Sequence, residues 1–164
     1  MLLSTSRDLL QTAQTLVKAV ADRRPLFLFA LHLVGFFGAL GFVLFHTPLE
    51  GIILADIMGL RPELADYCSP ALKLAFLMSA AWAYSALYRG LLAGVRDTTM
   101  LAASGLSRIG VAILVSGIGL IFDGVNGATI GLIGWMAGYG AEIALLALQL
   151  KRIDSSAGAA PIKE

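Results

Sequence analysis

Three ionisable side chains stand inside long apolar runs of this 164-residue chain: Arg89, Arg108 and Glu142. A charge at the centre of a bilayer costs at least roughly 2.5–3.5 kcal/mol unless it is paired or hydrated, so such residues mark either an ion pair or a polar pathway. With residues 95, 101 and 150 taken as the inner ends of their helices, a rise of about 1.5 Å per residue sets Arg89 roughly 9 Å deep, Arg108 roughly 10 Å and Glu142 roughly 12 Å. Two cations and one anion therefore share one layer. Arg108 and Glu142 form the expected pair, because their helices are consecutive and antiparallel. The residual positive charge of such a layer favours an anionic or phosphorylated substrate in a transport pathway. The alternative is an ion pair that fixes helix register, with Arg89 reaching back to the inner surface. A fourth candidate, His32, sits in the middle of an apolar run, where it is either a proton relay or a side chain hydrogen-bonded within the bundle.

The residues around Glu142 indicate where it points. Gly131, Gly134, Gly138 and Glu142 recur at helical spacing, and the Gly127/Gly131 and Gly134/Gly138 pairs have the GxxxG separation. Small residues in this pattern let helices approach closely, which aims the carboxylate into the bundle. Gly105, Ala112 and Ser116 give Arg108 comparable company. Other groupings carry less. His46, Glu50, Asp66 and Cys68 share one loop, but their spacing matches no metal-ligand pattern. Trp82, Tyr84, Tyr88, Trp135 and Tyr139 are read as packing or boundary aromatics. The single cysteine, Cys68, excludes an internal disulfide and a CxxC pair. There is no Gly-rich phosphate loop with its lysine, no GxSxG and no HExxH, so neither enzymatic chemistry nor a cofactor is expected.

These residues need long apolar helices to hold them, and the composition supplies them. The hydrophobic set makes up 58% of the chain and charged residues 14%, with mean hydropathy +0.83. A soluble domain does not have this composition. The net charge of +1 argues against a nucleic-acid partner. About 20 apolar residues cross a bilayer as a helix, and four runs qualify: 26–45, 71–95, 101–122 and 128–150. The expected fold is thus an all-α polytopic membrane protein with four transmembrane helices. The apolar stretch Gly51–Leu60 is too short to cross and reads as a short outer interfacial or re-entrant helix.

If the four spans alternate, Arg7, Lys18, Arg23, Arg24, Arg96, Lys151, Arg152 and Lys163 fall on one side, against Arg61 and Lys73 on the other. Basic flanks accumulate on the cytoplasmic face, so both termini are expected there, in an inner or plasma membrane. Residues 1–25 lack a signal-peptide pattern. They read as an amphipathic helix, with Leu9, Leu10, Ala13, Leu16, Val17 and Val20 on one face and Thr5 with Asp8 in capping-box form. It lies on the inner bilayer surface or forms a solvated linker. The polar tail, residues 151–164, is expected to be disordered.

The outer segment FHTPLEGIILADIMGLRPELADYCSPALKL (Phe45–Leu74) and the later VNGATIGLIGWMAGYGAE (Val125–Glu142) resemble the C-terminal region of the progressive ankylosis family. That family belongs with the MATE-like multidrug, oligosaccharidyl-lipid and polysaccharide exporters. The stretch YRGLLAGVRDTT (Tyr88–Thr99) looks like the helix end and basic turn recurring in that superfamily. Pro48, Gly59, Cys68, Pro70, Gly90, Arg96, Arg108, Gly127, Ala128, Gly131, Gly138 and Glu142 match the pattern, whereas Arg89 stands where the family has a smaller polar residue. The resemblance implies the last four helices of a twelve-helix, two-lobed alternating-access exporter of small organic or phosphorylated anions, drugs or lipid-linked sugars. Four helices alone do not enclose a two-lobed cleft. The tail of a disrupted or split gene, a second chain supplying the missing helices, or a homo-oligomer is therefore expected. Two other readings remain: an independent small four-helix dimeric exporter, and a non-transporting membrane scaffold.

Overall fold

The first apolar run, 26–45, carries no formal charge and forms the body of a helix, α1 (Arg23–His46). After Thr47 and Pro48 a short helix, α2 (Leu49–Gly51), widens into a π-helical stretch (Ile52–Ile57). Gly59, with φ of 65°, then follows in a conformation that side chains with a Cβ disfavour. The remaining helices are α3 (Pro62–Ala75), α4 (Leu77–Gly94), α5 (Thr98–Gly119) and α6 (Gly127–Gly158). This computed structural model describes residue 11 and residues 23–95, 97–122 and 124–158. The amphipathic helix expected over 1–25 lies outside the described residues except for Gln11 and Arg23–Pro25, and so does its capping box.

All regular structure among the described residues is helical. Three helices, α1, α5 and α6, are long and apolar enough to cross a membrane, and a fourth span results if the bent pair α3–α4 counts as one. Three or four such helices, by length and composition, fit a multi-pass membrane protein.

The structure departs from the expected spans in two places. Helix begins at Pro62, nine residues before the run 71–95, and bends by 41° between α3 and α4. The bend sits at Phe76, whose carbonyl accepts from the Ser79 hydroxyl at 2.7 Å, a side chain inserted into the helical ladder. Gly41 of α1 lets Phe76 in: a Cβ there would lie 2.6 Å from the Phe76 Cβ. The second departure is in the tail, where residues 151–158 continue α6 instead of being disordered. With 32 residues, α6 is roughly 48 Å long, so it outruns a hydrocarbon core of about 30 Å. Asp154 on this extension accepts from Arg23 at 2.6 Å. That ion pair joins the start of α1 to the end of α6.

Helix α6 runs between α4 and α5 and packs along both, while α4 and α5 touch each other little. The α5–α6 seam is built from small residues. A Cβ on Gly138 would stand 2.5 Å from the Arg108 carbonyl oxygen, and one on Gly134 would meet the Ser116 hydroxyl and the Ala112 carbonyl. Across the other side, Leu26 and Ala30 of α1 pack into a core with Ala83, Leu87, Leu91 and Leu150. Both ends of α6 are pinned. Asn126 caps its start by accepting from the Ala128 backbone N–H at 2.8 Å, and its amide donates to the Tyr67 carbonyl of α3. Near the other end Gln149 donates to Asp97 at 2.9 Å, and Asp97 also caps α5 by accepting from the Met100 N–H at 3.1 Å.

Candidate functional site

Because α6 is sandwiched between α4 and α5, a carboxylate on its inner side meets basic residues from both neighbours. Glu142 is fully buried. Its Oε1 accepts from Arg89 Nε at 2.6 Å and also from Arg89 Nη2. Its Oε2 accepts from Ser85 Oγ at 3.0 Å and from Arg108 Nη1 at 3.3 Å. Both carboxylate oxygens are therefore occupied by donors, as a buried charge requires.

The expected Arg108–Glu142 pair is present, and Arg89 joins it. Arg108 does reach Glu142, but Arg89 holds it with two nitrogens and at shorter range, and Arg89 does not reach back to the inner surface. The reason is the order of helices in the bundle: α6 lies beside α4 as well as beside α5, so consecutive helices are not its only partners. The layer holds two guanidinium groups and one carboxylate. Its formal charge is positive by one. Arg108 also lies over the ring of Tyr139, 4.9 Å from its centroid, a cation–π contact. Trp82 meets the same ring edge-on at 6.4 Å.

The two arginine side chains are not enclosed: 30% of Arg89 and 27% of Arg108 remain accessible, against none of Glu142. In hydrocarbon an unsatisfied N–H costs several kcal/mol, so this face of the layer needs water, an anion or further polar protein against it.

The other candidates lie elsewhere. His32 is exposed, and its Nδ1 is 2.7 Å from the Leu28 carbonyl of its own helix, so it does not join the layer. Of the four glycines expected to pack helices, Gly134 and Gly138 do so. A Cβ on Gly127 would face only the Tyr67 hydroxyl at 3.3 Å, and one on Gly131 would find open space, so Gly131 is no packing position among the described residues. The expected GxxxG face is thus confined to one turn and a half of α6. Glu50 is paired with Lys73 at 3.3 Å and His46 stacks on Phe42, which engages two of the four loop residues considered for a metal. Ser85 was missed by the sequence reading. Its signal is the spacing to Arg89, four residues on along α4, which places both on one helix face.

Separate from this layer, an apolar cavity of about 740 Å³ opens between α1, the α3–α4 bend and α6, with Phe37, Leu40, Phe76, Met78 and Trp135 among its walls. Trp82 also lines it, and the Trp82 indole N–H is buried without a hydrogen-bond partner.

No protein-family model matches the chain. No solved structure gives a significant match. The arrangement of Glu142 and its three donors is therefore the ground for a functional reading.

Proposed function

We propose that the chain is a membrane transport protein of the exporter type, corresponding to a four-helix portion of a larger alternating-access assembly, and that the Arg89–Glu142–Arg108 layer handles an anionic substrate. The observation that carries this is a buried carboxylate bridging two arginines that are both partly accessible, on helices apolar enough to cross a membrane when α3–α4 counts as one span. A purely structural ion pair has no use for the second cation, whose charge is left uncompensated and whose donors need cover. A water-filled substrate path along the α4–α5 side supplies that cover. The excess charge selects small organic or phosphorylated anions from the substrate classes of the ankylosis and MATE-like exporters, which the outer segment and Val125–Glu142 resemble.

In this reading both termini are cytoplasmic, and the Arg23–Asp154 pair lies on the inner side with the basic flanks. The partial exposure of the arginines also favours a second reading, in which the chain is an independent four-helix exporter and two copies cover each other's charged face. A scaffold that transports nothing is the reading that absence of flux would support.

The deciding experiment is anion uptake by the full chain reconstituted in lipid vesicles, with its native mass measured by cross-linking in the source membrane. Flux that is lost in Glu142→Gln, while the variant stays inserted and folded, supports a transport role. Unchanged flux in that variant rejects the part assigned to the layer, and absence of flux from the wild type rejects transport itself.

A further inference from the structure

The three donors around Glu142 are not equivalent, and the difference assigns them separate tasks. Arg89 commits two nitrogens to one carboxylate oxygen, its Nε at 2.6 Å, and Ser85 adds a bond at 3.0 Å. Arg108 adds a single contact at 3.3 Å, close to the limit of a hydrogen bond. Its guanidinium is instead steadied from one face by the Tyr139 ring at 4.9 Å. If Arg108 swings off, Glu142 keeps three bonds. If Arg89 leaves, a fully buried carboxylate retains only the hydroxyl and the long contact, which is costly.

We infer that Arg108 is the exchangeable cation of the layer: it receives the oxyanion of the substrate on its forked N–H edge, while Glu142 stays in place, held by the positioning residues Arg89 and Ser85. This rests on the anion reading of the layer. The ligand chemistry is a carboxylate-, sulfate- or phosphate-type group, because such an oxyanion accepts two parallel N–H bonds from one guanidinium. One Arg108 nitrogen makes the long contact to Glu142 and 27% of the side chain is accessible, so further N–H groups remain to be offered to that contact. Glu142 acts as an internal competitor for Arg108, so an incoming oxyanion replaces its Oε2 as the acceptor. Removing the Glu142 charge therefore strengthens anion binding even as it abolishes coupled transport.

The test is calorimetric titration of the full chain in detergent micelles with sodium sulfate, against sodium chloride at matched ionic strength, with thermal unfolding measured in parallel. Wild type is expected to bind one sulfate. Arg108→Gln weakens binding by at least about tenfold without a large loss of thermal stability, and Arg108→Lys recovers part of it. Glu142→Gln binds about tenfold more tightly than wild type. Arg89→Gln retains binding at a lowered unfolding temperature, and Ser85→Ala carries the same test if Arg89→Gln does not fold. Sulfate binding that survives Arg108→Gln, or that weakens in Glu142→Gln, overturns the assignment of Arg108 and leaves the anion reading standing. A wild-type protein that binds sulfate no better than chloride overturns both.

Discussion

Replacing Arg89 by glutamine destabilises the bundle more than the same replacement at Arg108, although both arginines belong to one layer and are about equally exposed. The magnitude follows from the bonds each side chain makes. Arg89 donates twice to Glu142 Oε1, one of the two bonds being 2.6 Å long, and a hydrogen bond to a charged group contributes about 1.5–3 kcal/mol. With 30% of the side chain accessible, solvent screening reduces the sum, to about 2–4 kcal/mol. Arg108 donates once at 3.3 Å, which is at the weak end of the range, about 1 kcal/mol or less after the same discount. Glu142→Gln removes the charge common to both and costs about 3–5 kcal/mol, the penalty for breaking a buried pair. Because Arg89 and Glu142 touch, the double replacement costs less than the sum of the single ones, by about 0.5–3 kcal/mol. Equilibrium unfolding in mixed micelles with a rising fraction of dodecyl sulfate measures all four variants. Arg108→Gln as destabilising as Arg89→Gln, or strict additivity in the Arg89/Glu142 cycle, refutes the reasoning.

Other predictions follow from the packing and the caps. Gly138→Val drives a branched side chain into the Arg108 carbonyl and costs about 1–3 kcal/mol or more, whereas Gly131→Val meets open space and changes stability by less than about 0.5 kcal/mol in the same unfolding assay. Asp97→Ala loses both the α5 cap and the Gln149 bond, and lowers stability by about 1–2 kcal/mol. In a Cys68→Ser background, single cysteines at positions 24 and 152 are labelled by an impermeant reagent from the same side of the membrane, because the Arg23–Asp154 pair joins the start of α1 to the last turns of α6. Labelling from opposite sides contradicts that pairing.

What the sequence made legible was the part of the structure that hydropathy and spacing encode. The uncharged run 26–45 reads as one long helix, and the recurrence of Gly131, Gly134, Gly138 and Glu142 aimed the carboxylate into the bundle. Hydropathy carries no record of a bend, so the break at Phe76 was hidden: Leu74, Ala75, Leu77 and Met78 around it are all apolar, and the features that mark it are a serine hydroxyl and a glycine on another helix. Nor does it give the order of helices in a bundle. Placing α6 between α4 and α5 is what brings Arg89 and Ser85 to Glu142, and no spacing within α6 announces that neighbour. The extension of α6 through residues 151–158 was obscured by small polar residues that suit a disordered tail. Arg23, 131 positions earlier, accounts for part of its order by pairing with Asp154.

The measurement that tests the central claim most directly is sulfate or phosphate flux through vesicles containing the full chain, compared with Glu142→Gln and with His32→Leu as a control outside the layer. Flux that is retained in His32→Leu and lost in a folded, inserted Glu142→Gln is the predicted result. Equal flux in wild type and Glu142→Gln contradicts the account, and so does absence of flux from every form once any partner chain identified by cross-linking is present.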